Sequence, residues 1–122
     1  SYTRFEYQDI RVSAPETPLG DTFSLSATVS NVGKVAADEV VQLYLRDPVA
    51  SVTRPVRELK GFRRIRLEPG QSMVVEFTLH TDELAFYGRD MRLLTEPGKF
   101  HAWIGGSSEA SLGTQFRLIE AD

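Results

Sequence analysis

The chain has 122 residues, of which 41% are hydrophobic and 25% are charged, a balance typical of one soluble globular domain. Its net charge of -3 argues against nucleic-acid binding, which usually goes with a basic surface. No apolar run approaches the roughly 20 residues that span a bilayer, so we expect neither a nucleic acid nor a membrane as a partner. Because there is no cysteine, the fold must be held without disulfides. For the same reason, cysteine content gives no information about the cellular compartment of the protein.

Alternation of apolar and polar residues with a period of two dominates the chain and predicts half-buried β-strands. In chain order, the strong runs are residues 23–29, 41–45, 73–79, 100–104 and 116–118, and two weaker candidates are residues 5–12 and 56–67. About seven strands with almost no helix predict an all-β fold, an antiparallel β-sandwich.

Three segments between these runs carry turn signals. Residues 31–34 (Asn-Val-Gly-Lys) tolerate positive φ, and residues 68–71 and 96–99 both contain Pro-Gly, as a type II turn requires. We expect the turns between neighbouring strands to form hairpins. The longer stretch 47–56 is better suited to crossing between sheets.

One short helical turn is predicted after residue 80. Thr81 or Asp82 could cap it, and Gly88 could end it. Asp82 and Glu83 also form the densest acidic pair, and glycosidase chemistry needs two facing carboxylates roughly 5 to 9.5 Å apart. We favour helix capping over catalysis at this pair, because capping accounts for both side chains at this position.

The histidines and serines do not form a catalytic or metal-binding pattern. His80 and His101 lack zinc-ligand spacing, and the alternation places both on outward strand faces. Ser107 and Ser108 follow two glycines without a nucleophile-elbow pattern, so a flexible turn is the favoured interpretation. We expect no metal and no cofactor.

Two surface features leave alternatives open. Six cations lie between residues 54 and 66 against one acid, Glu58, and they could bind an anionic polymer, face solvent or dock on another domain. Trp103 should face the opposite side of its strand from Phe100, Ala102 and Ile104. Together with Tyr44, Phe86 and Tyr87 it could stack on sugars. We favour a Trp103 covered by a loop or a neighbouring domain, because large aromatic residues are usually mostly buried.

The most distinctive segment is Asp-Pro-Val-Ala-Ser-Val-Thr-Arg-Pro-Val-Arg-Glu-Leu-Lys-Gly-Phe at 47–62. Further blocks are Ser-Tyr-Thr-Arg-Phe at 1–5, Val-Ser-Asn-Val-Gly at 29–33, Glu-Val-Val-Gln-Leu-Tyr at 39–44, Leu-Ala-Phe-Tyr at 84–87, Glu-Pro-Gly-Lys-Phe at 96–100 and Ile-Gly-Gly-Ser-Ser at 104–108. In this order the blocks resemble the C-terminal fibronectin type III-like domain of glycoside hydrolase family 3 enzymes, the β-glucosidases and β-xylosidases. The resemblance covers nearly the whole chain.

The resemblance implies an immunoglobulin-like sandwich, one domain over residues 1–122, with residues 1–5 leading in from a preceding domain. It implies a parent hydrolase of carbohydrate metabolism that removes terminal non-reducing β-D-glucosyl or xylosyl residues. The parent's nucleophile and acid/base belong to segments that have no counterpart here, so this chain alone is expected not to be an enzyme. The compartment of the parent is left open: a periplasmic or secreted enzyme is expected, and a cytoplasmic one is the alternative.

We therefore expect a non-catalytic accessory domain whose partners are the catalytic domains of the same parent chain. In an arginine–proline pair, proline fixes its own φ and the arginine guanidinium carries five N–H donors. Such a pair suits hydrogen bonding to carboxylates or carbonyls of another domain. The alternative is a module that adheres to polysaccharide or lignin through the cationic strand and exposed aromatic side chains. The predicted docking residues are Arg54, Pro55, Lys60 and Phe62, with Tyr2 and Tyr87 as secondary choices.

Overall fold

The computed structural model describes residues 3–46, 57–87 and 93–122. Seven long strands match the seven predicted runs, and three short strands were not predicted. The strands are β1 (Phe5–Val12), β2 (Glu16–Pro18), β3 (Thr22–Asn31), β4 (Ala37–Arg46), β5 (Glu58–Leu67), β6 (Ser72–His80), β7 (Phe86–Tyr87), β8 (Leu93–Leu94), β9 (Gly98–Gly105) and β10 (Gly113–Ile119). One 3-10 helix, Thr81–Leu84, follows β6.

The long strands form two sheets that enclose the core. One sheet has the order β1-β3-β6 and the other has the order β2-β10-β9-β4-β5, while β7 and β8 pair separately. All long neighbours are antiparallel, and β2 runs parallel to β10. The predicted apolar runs supply the inner faces, with Phe100 fully buried against Phe116. The predicted all-β sandwich of about seven strands is thus confirmed.

The connections between strands differ from the prediction. The turns at 31–34 and 68–71 were expected to make hairpins, but each carries the chain from one sheet to the other. The stretch 47–56 was expected to cross between sheets, yet it joins β4 to β5, which are antiparallel neighbours in one sheet. Loop length is a poor guide here, because a tight turn at the end of a sandwich can span the roughly 10 Å between layers. Gly70 has a φ of 82°, as the predicted type II turn requires.

Asn31 ties the two sheet-changing turns together at one end of the sandwich. Its side chain is fully buried, and its amide nitrogen donates to the carbonyls of Val35 (2.9 Å) and Leu67 (3.0 Å). Its amide oxygen accepts from the Gly33 backbone N–H at 2.9 Å. The Gly70 N–H donates to the Asn31 carbonyl. The side chain therefore bonds to backbone groups of the first connection and of Leu67 just before the second turn, while the backbone carbonyl binds the second turn itself. Every polar atom of the buried amide thus has a partner.

The short helix forms where it was expected, but its ends are different. His80 is the N-cap instead of Thr81 or Asp82, and its Nδ1 accepts from the Asp82 N–H at 3.0 Å. The Glu83 carboxylate accepts from the His80 N–H at 2.7 Å, which completes a capping box. The helix ends at extended Ala85 rather than at Gly88. Imidazole nitrogen can accept like a serine oxygen, and propensity rules rank it too low to predict this cap.

Candidate functional site: the outer face of the five-stranded sheet

Only part of the predicted docking set falls on described residues. Tyr2, Arg54 and Pro55 lie outside the described residues, and so does the side chain of Tyr87. Lys60 and Phe62 lie on β5, which is an edge strand of the five-stranded sheet.

A β-bulge in β5 changes which face of the sheet the side chains before it point to. Gly61 lies opposite Leu43, while Leu59 lies opposite Tyr44, so Lys60 is the extra residue. Since directly opposite residues share a face, the bulge places Leu59 on the same outer face as Phe62. Phe62 is 69% exposed and Leu59 is 50% exposed.

Lys60 is engaged within its own strand. Its Nζ lies 3.3 Å from a Glu58 carboxylate oxygen, and its side chain is only 16% exposed. Of the two described docking candidates, Phe62 therefore exposes an apolar ring, whereas Lys60 is largely covered.

Trp103 lies on the same outer face and is covered by an arginine of its own chain. It pairs with Tyr44 and faces away from the buried residues of β9, as predicted. The Arg57 guanidinium carbon sits 3.8 Å from the ring centroid. Beside the ring, a Cβ added to Gly113 would come within 2.8 Å of it, so the close approach needs glycine. Trp103 is half-buried and is covered on one side by the Arg57 side chain, while covering by a neighbouring domain stays a prediction.

Arg57 also fastens the start of β5 to the hairpin between β9 and β10. One guanidinium nitrogen donates to the Ser108 carbonyl at 3.0 Å and to the Ala110 carbonyl at 2.6 Å. A planar guanidinium can stack on indole and donate from its edge at the same time, which an ammonium cannot do. The stacked guanidinium occupies a ring face that a sugar would need.

Replacing Arg57 by lysine should destabilise the fold by about 1–3 kcal/mol, because stacking and charged hydrogen bonds are both weakened. Urea unfolding followed by the fluorescence of Trp103 measures the change. Arg63→Lys, at an exposed cation within β5, is the matched control and should shift stability by less than about 0.5 kcal/mol. Equal unfolding midpoints for the two variants would show that the stacked arginine contributes nothing.

The cations of β5 have an acidic partner that lies far away in sequence. Arg64 and Arg66 each bind a different carboxylate oxygen of Asp38 on β4, both at 3.1 Å. Two hydrogen bonds lower the pKa of Asp38, and the one from Arg66 has a larger effect than the one from Arg64. The stretch that looked like a cationic stripe is thus partly neutralised by the neighbouring strand, which weakens the case for binding an anionic polymer.

The outer face of the three-stranded sheet has a different character. Its central strand β3 presents Ser24, Ser26, Thr28 and Ser30, which lie opposite Thr78, Glu76, Val74 and Ser72 of β6. Within the described part of this face, Val74 is the large apolar side chain that is most exposed, at 66%. Apart from Val74, the side chains named on this face are polar or charged, so the two outer faces are chemically distinct.

The histidines lie as expected, both half-buried on outward-facing positions. Within ranges 3–46, 57–87 and 93–122, no group of three or more histidine, cysteine or acidic residues could hold a metal ion. Over the same ranges, no helix has both the length and the apolar character needed to cross a membrane.

Two contributors to this face, Leu59 and Asp38, were not singled out by sequence reasoning, and Arg57 was counted only as one of the six cations between residues 54 and 66. Leu59 belongs to the distinctive segment, but simple alternation puts it on the wrong face because the bulge shifts the parity. Gly61, two residues further along, was the available signal, since glycine within a strand often marks a bulge. Arg57 and Asp38 act through partners 26 to 53 residues away, and a single sequence carries no signal for such contacts.

Comparisons with known proteins agree with this architecture. A family model described as the fibronectin type III-like domain matches residues 39–108. A β-xylosidase of Formosa agariphila is 44% identical over 90% of this chain and 15% of its own length. A β-glucosidase of Bacteroides ovatus is 43% identical over 93% of this chain and 15% of its own length.

Solved structures give the same result. The crystal structure of a β-glucosidase from Listeria innocua in complex with glucose matches with a TM-score of 0.83 and 32% identity, over 96% of this chain and 16% of that one. The structure of a β-glucosidase from Erythrobacter marinus matches with a TM-score of 0.86 and 36% identity over the same shares. The chain thus spans about one-sixth of the length of these relatives, and it belongs to the fibronectin type III-like domain family.

Proposed function

We propose that residues 1–122 form a single accessory domain of a family 3 β-glucosidase or β-xylosidase, and that this domain docks on the catalytic domains and stabilises them. The observation that carries the proposal is the coverage: relatives match over about nine-tenths or more of this chain, but over only 15% of their own length. The parent reaction would be removal of terminal β-linked glucose or xylose, performed by the rest of the parent chain.

A non-catalytic role is supported by the structural duties of three of the described carboxylates. Asp38 binds two arginines, and Glu83 caps the short helix. Glu39 accepts a hydrogen bond from the Tyr7 hydroxyl at 2.8 Å, which links β4 to β1 of the other sheet. Burial, together with the neighbouring Glu39 carboxylate, raises the pKa of Tyr7, so this hydroxyl stays protonated as a donor. Each carboxylate therefore has a stabilising task that accounts for its position.

A docking role is supported by the outward-facing apolar side chains of β5. A domain that worked on its own would gain nothing from leaving Phe62 mostly exposed, whereas a domain packed against another would bury it. The proposed docking set keeps Phe62 as its main member, with Arg54, Pro55, Tyr2 and Tyr87 as further members. Lys60 stays in the set as a minor member, because its ammonium group is paired with Glu58 of the same strand.

Deletion of this domain from the parent enzyme tests the proposal. We expect the shortened enzyme to unfold several degrees lower and to lose activity on heating faster than the complete one, because a large interface would be left exposed to water. Thermal unfolding and residual hydrolysis of an aryl β-glucoside measure this. The purified 122-residue chain is the control and should hydrolyse none. Unchanged stability and activity after deletion would contradict the proposal.

A further inference from the structure

We propose that the outer face of the five-stranded sheet, at the edge formed by Phe62 and Leu59, is the docking interface, and that the catalytic part of the same parent chain occupies it. The inference rests on the proposed function and adds which surface of the sandwich performs it. We call this surface the β5 face and define it as Leu59, Phe62, Val40 and Tyr44 with the Arg57–Trp103 stack beside them.

The apolar side chains of the β5 face are neighbours across two strands. Phe62 lies opposite Gln42, whose neighbours on the same face of β4 are Val40 and Tyr44. Leu59 lies opposite Tyr44, so Phe62, Leu59 and Tyr44 are neighbours, and Val40 lies diagonal to Phe62 on the far side of the polar Gln42. Such a cluster on an edge strand is an aggregation hazard unless something covers it, which indicates a permanent partner.

The charges beside this cluster indicate the chemistry of the partner surface. Arg64 lies opposite Val40 on the outer face, and Arg66 follows it. The two arginines share one carboxylate, Asp38, so this end of the face keeps an excess positive charge. The complementary surface would be an apolar recess for Phe62 with carboxylates at its rim.

The length of the related chains argues for an occupant within the same polypeptide. In the relatives, the matched part is only 15% or 16% of the chain. The remainder is tethered to this domain, and a tethered partner has a high effective concentration that a separate protein lacks. The opposite face carries mainly short serine and threonine side chains, and its exposed apolar residue Val74 is smaller than Phe62.

Two matched substitutions in the parent enzyme separate the β5 face from the opposite one. Phe62→Glu and Val74→Glu change residues that are 69% and 66% exposed, on edge strands of opposite sheets. We expect Phe62→Glu to lower the melting temperature of the complete parent by about 3 °C or more and to speed hydrogen exchange in β5, whereas Val74→Glu should change it by less than about 1 °C. In the 122-residue chain by itself, both variants should melt alike.

Several outcomes would overturn the inference. Equal effects of the two variants in the parent, in a protein that domain deletion still destabilises, would mean that docking uses another face while the proposed function stands. A deletion without effect would remove the proposed function as well. If Phe62→Glu instead dissociated a dimer of the parent, as seen by light scattering, the occupant would be a second copy and not the catalytic part.

Discussion

Replacing Asn31 by aspartate is expected to destabilise the domain by about 3–5 kcal/mol at neutral pH, although it changes one atom of a side chain. The amide nitrogen donates to two carbonyl oxygens, and a carboxylate oxygen in its place would repel both in a site without solvent. Urea unfolding followed by the fluorescence of Trp103 measures the loss.

The pH dependence of this variant gives a second check. The new carboxyl group at position 31 would have its pKa raised above the ordinary value of about 3.9, since only the neutral acid can donate to a carbonyl. A raised acid pKa favours the protonated folded state, so the loss relative to the original chain should shrink as the pH falls through that pKa. Ser24→Asp, on the outward face of the same strand, is the control and should cost less than about 1 kcal/mol. Similar losses for both variants would show that Asn31 does not hold the turns.

Truncating Phe100 to alanine is expected to cost about 3–5 kcal/mol, because the ring fills the space between the sheets. Phe100 is fully buried, and its ring stacks on Phe116 with centroids 5.5 Å apart. Phe62→Ala is the matched control, since it removes the same atoms from a side chain that is mostly exposed. In the 122-residue chain the control should cost less than about 0.5 kcal/mol. A Phe62→Ala loss close to that of Phe100→Ala would mean that Phe62 is part of the core and is no docking residue.

The strands could be located from the sequence because burial on one face of a sheet imposes a period of two on the residues themselves. Residues 5–12 were a weak candidate, yet β1 has those bounds. The same pattern says nothing about which sheet a strand joins. The hairpin predictions for 31–34 and 68–71 were therefore wrong, as was the crossing predicted for 47–56. The three short strands escaped prediction because two or three residues are too few to show a period.

The candidate site was only partly predictable. The distinctive segment pointed to Phe62 and Lys60, but their difference in exposure follows from a bulge that alternation cannot register. The stack of Arg57 on Trp103 and the binding of two arginines by Asp38 join positions that the chain brings together only when the sheet forms. Sequence reasoning identified the cations of this strand, and the fold decides which of them keep an available charge.

Scanning calorimetry of the complete parent enzyme, beside the 122-residue chain by itself, tests the docking claim most directly. A docked domain shares its interface energy with the catalytic part, so we expect it to melt in one cooperative transition with that part, above the temperature at which the separate chain melts. A domain that merely hangs on a tether would give its own transition at the temperature of the separate chain. That second result would contradict the account.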